Sequence, residues 1–402
     1  MELDHGRWYF AVQVTNLDDR RVRIRRGGFR SSWEAERASW EFLQLPDAQA
    51  ASEWWTLGRW LEYWLSELDG QLRPTTLMNY RSIVKNHLLP KVSKLRMPEL
   101  RTRHLQRAMD SIARQRTAGG HTLSPGTLDR IRAVLRSALS EARRRGVLKT
   151  NSNPARGLRL PNGARPRAVL WDDDHEEVWR ETGIRPRVAV WDLPHVGKFL
   201  ESTRNDPMFA LWWLVALHGL RRGEVAGLRW EDVDLAAGRL TVREQVIVLR
   251  GMEITGPPKS AAGVRVIELD EFTVEVLRAL WNEQRRRFGS PSPKARMFRH
   301  ANGRVVRPDW LTRRFARLVE ELGLPPVRLH DLRHGATGIA LASGSDLKVI
   351  QEKLGHSTPI TTIEIYACVI KSLAQASVRA AAELLLSHVG RRRLSFGSAS
   401  QA

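Results

Sequence analysis

Four short stretches of this 402-residue chain gather side chains suited to chemistry at a phosphate ester. In HGLRRGEVAGLRW, His218 to Trp230, an apolar run ends at a Gly-Leu turn, presents Arg221 and restarts as a helix with Glu224 in its first turn. Arginine is always charged, and its planar fork matches two phosphate oxygens. Glu224, three residues on, is placed to hold that fork; read alone, the pair is also a surface ion pair worth under ~1 kcal/mol. In RLHDLRHGAT, Arg328 to Thr337, His330 and Arg333 project from one side of a helical turn. An imidazole beside a second guanidinium suits a phosphate whose oxygens gain negative charge, and a capped helix start with Asp331 as dipole partner is the plainer reading. In GPPKSAAGVRV, Gly256 to Val266, a Gly-Pro-Pro turn precedes Lys259 and a strand follows, which places the lysine near the tip of a β-hairpin. A lysine of lowered pKa can protonate a leaving oxygen, although most loop lysines do nothing specific. In LGHSTPITTIEIY, His356 follows a glycine turn and Tyr366 lies ten residues on. A tyrosine is ordinarily a packing residue with a polar tip. With a pKa of ~10, about one phenol in a thousand is ionised at neutral pH, so a tyrosine nucleophile needs a base and a cationic pocket to offset ~4 kcal/mol. Two arginines, two histidines and a lysine would supply that pocket.

The charge balance agrees with a polyanionic partner. Sixty-five basic residues against 44 acidic ones leave a net charge of +21. Lysine and arginine neutralise phosphates and release counterions, so the excess favours nucleic acid. It is unevenly spread: residues 1–50 are neutral overall, residues 51–160 carry net +13 and residues 161–402 carry net +8. A single cysteine, Cys368, excludes an internal disulfide framework and a paired-cysteine metal site, and fits a reducing cytosol. ELDHGRW after Met1 has no apolar signal core. The longest apolar run, MFALWWLVAL (Met208 to Leu217), is far short of the ~18 residues of a membrane span, and reads as a buried helix with Asp206 as N-cap and Pro207 at its first position.

The elements that must position these groups fall into segments. Residues 1–50 read as a small β-rich module closed by a helix: WYFAVQV, a turn at Asn16–Asp19, RRVRIRR, and a helix capped by Ser32 that carries Trp33, Ala35, Ala38 and Phe42. RRVRIRR alternates Val22 and Ile24 with arginine, so one strand face is apolar and one cationic. Arg20, Arg21, Arg23, Arg25 and Arg26 are candidate phosphate contacts, or a solvated edge that resists aggregation. Residues 51–160 read as an all-α bundle. Leu57, Trp60, Leu61, Trp64, Leu65 and Leu68 share one helix face; a second helix starts at Pro74 and stops near Pro90; a third spans Glu99 to Gln115; a fourth follows Ser124-Pro125 through Ala142 and ends at ARRRG. Arg81, Lys85, Arg130 and Arg132 are its candidate DNA contacts. Residues 161–192 read as an interdomain linker holding an imperfect duplication, RPRAVLWD (Arg165 to Asp172) and RPRVAVWD (Arg185 to Asp192). Residues 193–389 read as an α+β domain with a small antiparallel sheet amid helices, and residues 390–402 as a disordered tail.

In their order along the chain, Arg221, Glu224, Lys259, His330, Arg333, His356 and Tyr366 resemble the tyrosine recombinase family, also called phage integrases. LRRGEVAGLRWEDVD, HDLRHGAT and LGHSTPITTIEIY carry the resemblance, which spans Leu193 to the end and shows no departure at the seven positions. The helical segment resembles the family's SAM-like core-binding domain, down to the PARGLRLP junction, and the first segment is similar to its arm-type DNA-binding module. The resemblance implies a site-specific recombinase that integrates or excises a phage or mobile element. Tyr366 would attack a DNA phosphodiester and form a 3′-phosphotyrosine, with Arg221 and Arg333 on the non-bridging oxygens. His330 would share the nucleophile's proton, Lys259 would protonate the leaving 5′ oxygen, His356 would bond the phosphate, and Glu224 would brace the pocket. Bond energy kept in the phosphotyrosine makes ATP unnecessary, and cationic groups take a metal's role, so no cofactor and no metal are expected. Expected partners are double-stranded DNA attachment sites with core and arm sequences and a homotetramer on that DNA. An excisionase or other directionality factor and a host DNA-bending protein are further candidates. The expected location is the cytoplasm, at the bacterial nucleoid, with no membrane association. An apolar stripe after the tyrosine (Leu373, Ala376, Ala380, Leu384, Leu385) would dock on a neighbouring protomer or pack within its own domain.

Other readings predict different behaviour. A chromosome-resolving recombinase usually lacks the arm-type segment, and a type IB topoisomerase would not exchange strands between two sites. WDDDHEE, Trp171 to Glu177, offers hard ligands for a metal-dependent nuclease, whose cleavage a chelator would stop. A basic, non-catalytic DNA-binding regulator would bind without nicking and leave the arginine, histidine and tyrosine set without a purpose.

Overall fold

The computed structural model describes residues 2–4, 6–15, 21–43, 55–117, 120–161 and 168–355. His356, Tyr366, Cys368, the apolar stripe after the tyrosine and the tail lie outside the described residues, as does Arg20. The chain divides into two compact units, Met1–Arg165 and Pro166–Ala402.

The first unit opens with an antiparallel sheet in the order β1 (Glu2–Asp4), β2 (Arg7–Thr15), β3 (Arg21–Phe29). Phe10 on β2 faces Arg26 across the ladder, and Val12 faces Ile24. The helix α1 (Ser32–Leu43) covers one face and buries Ala35, Ser39 and Phe42. Phe10, Ile24 and Phe42 form the small core, with the Phe10 and Phe42 rings 5.8 Å apart. The cap differs by one residue from the expectation at Ser32. Ser31 Oγ accepts the Glu34 N–H (3.1 Å), and Glu34 Oε2 accepts the N–H of Arg30, one residue before the cap (2.8 Å). Trp33 faces solvent.

The helical part comprises α2 (Leu57–Glu67), α3 (Pro74–Ile83), α4 (Thr102–Arg114) and α5 (Pro125–Arg144). The expected α2 stripe is buried from Leu57 to Leu65, and Trp60 donates its indole N–H to the Ala138 carbonyl of α5 at 2.9 Å. Pro90 does not stop the second helix. A π-turn over Val84–Leu88 and a further turn over Leu89–Val92 carry it past the proline. The wider i→i+5 bonding accommodates a residue that has no N–H to donate. Ser124 caps α5 by accepting the Thr127 N–H (3.2 Å), and Leu128, Ile131, Val134, Leu135, Ala138, Leu139 and Ala142 line its buried face. PARGLRLP folds back on this bundle, where Ala155 and Leu158 are buried and Gln106 brackets the Arg159 backbone by bonds of 2.9 and 3.0 Å.

The second unit begins inside the segment read as a linker. Val169–Leu170 (β4) pairs in parallel with Ala189–Val190 (β5), and the helix α6 (Asp173–Thr182) connects them. Residues 168–192 are therefore part of a folded core: each copy of the duplication supplies a short strand, a buried tryptophan (Trp171, Trp191) and a helix-capping aspartate. Asp172 accepts the His175 N–H at 2.9 Å and Asp192 the His195 N–H at 3.0 Å.

Then follow α7 (Leu193–Ser202), α8 (Phe209–His218), α9 (Arg222–Gly227), β6 (Val233–Asp234), β7 (Arg239–Val242), β8 (Gln245–Leu249), β9 (Met252–Gly256), β10 (Arg265–Glu268), α10 (Glu271–Phe288), α11 (Pro308–Glu321), α12 (Leu329–Ala342) and α13 (Leu347–Leu354). β10, β7 and β6 form an antiparallel sheet, and β8–β9 a separate hairpin. The buried helix α8 starts two residues later than Pro207. Asp206 Oδ1 accepts the Met208 N–H (2.8 Å) and its Oδ2 an N–H of Arg314 (3.0 Å), so the aspartate caps the turn that leads in. Trp191, Phe199, Trp212 and Phe315 interlock at the core, with centroids 5.3–6.1 Å apart. Among the described residues no helix is long and apolar enough to cross a membrane.

Candidate active site

Arg221 is the N-cap residue of α9, with extended backbone before the helix turns. Glu224, at the third helical position, accepts the Arg221 backbone N–H at 3.0 Å and its Nη1 at 2.6 Å. One carboxylate thus satisfies an orphan helix N–H and aims the guanidinium of the same residue. The same Arg-x-x-acid arrangement recurs at Arg229/Asp232 and Arg328/Asp331, where each acid accepts the N–H of the arginine three residues earlier. Glycine is required nearby: a Cβ on Gly223 would sit 2.7 Å from the Val246 carbonyl of β8.

Glu224 is fully buried, and a third donor reaches it: Arg265 Nη2, from the first residue of β10, at 2.9 Å. Burial alone would raise the Glu224 pKa. The Arg265 hydrogen bond and the charges of Arg265 and Arg221 outweigh it and hold the carboxyl below its usual range.

Arg333 projects from α12 and is 2% exposed. It donates Nη1 to the Gly219 carbonyl at 2.5 Å and Nη2 to the Leu354 carbonyl. Desolvation, then the like charge of Arg221, pushes its pKa down to about 9, which leaves it charged at neutral pH. Arg221 Nη2 reaches the Gly355 carbonyl at 3.1 Å. The two guanidiniums come from elements 112 residues apart in sequence and meet at one place, the end of α13 where the chain enters His356.

His330 stands at the start of α12, its ring edge-on to that of His334 with centroids 5.4 Å apart. Desolvation first, then His334 and the Arg333 guanidinium, push its pKa down to about 4, so the ring is neutral at pH 7. The residue retains an exposed edge, and the two arginine charges act in the same direction as the desolvation. A neutral imidazole is able to accept a proton. Behind it, Asp331 is buried and held by Arg328 through Nε at 2.8 Å and Nη2 at 2.9 Å.

Lys259 is exposed, and its placement differs from the expectation. The β8–β9 hairpin turns at Arg250-Gly251, both with positive φ, as a tight two-residue turn requires. Lys259 instead lies on the connection from β9 to β10. The Pro257-Pro258 pair interrupts the ladder, because proline has no N–H to give it, and the strand resumes on a different sheet. The same connection touches the end of α13: a Cβ on Gly355 would lie 2.6 Å from the Ala262 carbonyl.

The candidate DNA contacts are mixed. Arg21, Arg23 and Arg25 are exposed on β3, with the Arg25 guanidinium 3.6 Å from the centroid of the Tyr9 ring. Arg26 lies on the opposite face, 5.5 Å from the Phe42 ring of α1. Lys85 and Arg130 are exposed. Arg81 pairs with Asp69 at 3.2 Å, and Arg132 bonds Asp129 (2.5 Å) and the Leu158 carbonyl (3.4 Å). In WDDDHEE, Glu176 is buried against His195 at 2.5 Å rather than displayed with the other acids. Arg265 is the residue the sequence reading passed over. Its signal is an arginine in the alternating strand VRVIEL, on the same strand face as the buried Ile267 and opposite the buried Val242.

Comparisons with known proteins agree with this geometry. The family model described as phage integrase family matches residues 200–372, and that of the phage integrase N-terminal SAM-like domain matches residues 56–112. A putative prophage phiRv2 integrase of Mycobacterium tuberculosis is 26% identical over 309 residues, 75% of this chain and 71% of that protein. The ICEBs1 integrase of Bacillus subtilis is 27% identical over 179 residues, 42% of this chain and 47% of that protein. Among solved structures, the Tn1549 transposon integrase in complex with transposon right end DNA superposes with a TM-score of 0.61 at 18% identity, covering 82% of this chain and all of that one. A lambda integrase dimer bound to a COC' core site superposes with a TM-score of 0.53 at 17% identity, covering 91% and 95%. Together with the arginine and histidine arrangement, the two matches over the helical and α+β units show that the chain belongs to the phage integrase family of tyrosine-type site-specific recombinases.

Proposed function

We propose that the chain cleaves and rejoins attachment-site DNA of a phage or mobile element, with Tyr366 as nucleophile. The observation that carries this reading is the convergence of Arg221 and Arg333 on the chain end that leads into HSTPITTIEIY. The tyrosine oxygen attacks phosphorus, the bond to the 5′ oxygen breaks, and a 3′-phosphotyrosine forms. His330, neutral at pH 7, takes or shares the phenolic proton; Lys259 gives a proton to the departing 5′ oxygen. Arg221 and Arg333 hold the non-bridging oxygens, where charge grows in the transition state, and His356 adds a hydrogen bond. Attack by the partner strand's 5′-hydroxyl reverses these steps, so the backbone is resealed without ATP.

The helical unit, residues 51–160, is the core-site binder in this reading, and the β-rich module is the arm-site binder through the exposed arginines of β3. The working assembly is a homotetramer on two DNA sites in the bacterial cytoplasm, with a directionality factor and a DNA-bending protein as further partners. The test is a nicked suicide site from which the released strand end diffuses away, followed by mapping of the trapped peptide. The unaltered chain accumulates a denaturation-resistant adduct through Tyr366, and Tyr366→Phe binds the site without forming it. An adduct that survives in Tyr366→Phe would refute the assignment, and a tight binder that never cleaves would make the chain a regulator.

A further inference from the structure

Three consecutive carbonyls at the end of α13 are each taken by a different arginine. Arg265 Nε donates to Lys353 O at 2.7 Å, Arg333 Nη2 to Leu354 O, and Arg221 Nη2 to Gly355 O at 3.1 Å. The last carbonyls of a helix have no intrahelical partner and lie at the negative end of its dipole, so cations suit them. Two of the three arginines are those assigned to the phosphate. Arg265 has no such assignment: it is buried, and each of its three guanidinium nitrogens is bonded to an acceptor of the protein itself.

We propose that Arg265 is a positioning residue for cleavage, an inference that rests on the reading of Arg221, Arg333 and Tyr366 above. Its three arms go to three separate parts of the pocket. Nη2 holds Glu224 and through it Arg221; Nε holds the Lys353 carbonyl at the root of the segment that carries His356 and Tyr366; Nη1 holds the Gly263 carbonyl at 3.0 Å, on the connection that carries Lys259. One rigid guanidinium therefore sets the mutual distance of the phosphate grip, the general acid's loop and the nucleophile's tether. A lysine at this position has no fork and cannot span three acceptors in three directions.

The test is Arg265→Lys in the full-length chain, which keeps the charge opposite Glu224. Single-turnover cleavage of the nicked site, scored per DNA-bound protein, is expected to fall about 100-fold, while core-site affinity changes by less than about threefold. Scoring per bound protein removes any misfolded fraction from the rate. Amide hydrogen exchange at Gly355 is expected to speed up while exchange in the α8 core does not. Cleavage and binding that fall in parallel, or an unchanged cleavage rate, overturn the role of Arg265 alone, since the unaltered chain still forms its adduct. Absence of any Tyr366 adduct in the unaltered chain overturns the functional reading and this inference with it.

Discussion

Replacement of Glu224 by glutamine tests how the pocket is held together. The two carboxylate oxygens receive three N–H donors at 2.6, 2.9 and 3.0 Å, two from Arg221 and one from Arg265, and the side chain is fully buried. Glu224→Gln keeps the shape and one acceptor oxygen, but turns an NH2 toward a guanidinium and removes the counter-charge shared by Arg221, Arg265 and the nearby Arg333. Loss of one partner of a buried, hydrogen-bonded ion pair costs roughly 3–5 kcal/mol. For a unit of this size that is a fall in Tm of roughly 6–20 °C. The assay is thermal or urea unfolding of the two proteins side by side across pH. The Glu224 carboxyl has a folded pKa below its ordinary 4.5. Its contribution is therefore fully present above 4.5 and is lost as pH falls through the lower folded value. The glutamine variant should be weaker at neutral pH and approach the unaltered protein on acidification. A deficit under about 1 kcal/mol, the worth of an exposed pair, would refute the argument, as would a deficit that does not shrink in acid.

Arg333→Ala should lower cleavage by about 100-fold or more, with a far smaller loss of site affinity; equal losses in the two assays would make Arg333 an anchor only. His195 donates to Asp192 and, at 2.5 Å, to Glu176, and although desolvation opposes it these two carboxylates raise its pKa above 6.5. Stability from His195 is thus complete below 6.5 and lost as pH rises through the folded value, so the deficit of His195→Gln in unfolding should be largest in acid; a pH-independent deficit would count against it. Gly355 has φ +63°, and Gly355→Ala should destabilise the second unit by roughly 1–2 kcal/mol or more from the left-handed backbone, before the 2.6 Å approach of the Ala262 carbonyl is added. Unfolding in urea checks this, and a neutral substitution would show that the helix end is loosely packed.

Local order was readable from residues near one another in the chain. The stripe from Leu57 to Leu65 declared its helix because 3.6-residue periodicity needs no distant partner. The Arg221/Glu224 and His330/Arg333 spacings likewise placed each pair on one turn. Where a distant partner intervenes, the local signal misled. Pro90 looked like a stop, yet the packed Leu88 and Val92 keep the helix going through a π-turn. The duplicated RPRxxxWD segments looked like a linker, because neither strand of a parallel pair shows its purpose until the other lies beside it. Lys259 looked like a hairpin tip, because the turn at Arg250-Gly251 is told apart from the Pro257-Pro258 connection only by which strands pair.

The sequence by itself determined the chemical inventory: which residues can grip a phosphate, which can take or give a proton, and which helices carry them, since these follow from side-chain type and short-range spacing. Tertiary structure alone decided which groups share a pocket. The bonds from Arg221 to Gly355, Arg265 to Lys353 and Arg333 to Leu354 join residues 134, 88 and 21 positions apart. No local propensity encodes such contacts; they exist because the core around Trp191, Phe199, Trp212 and Phe315 brings the helix ends together, and because buried charges must find each other there.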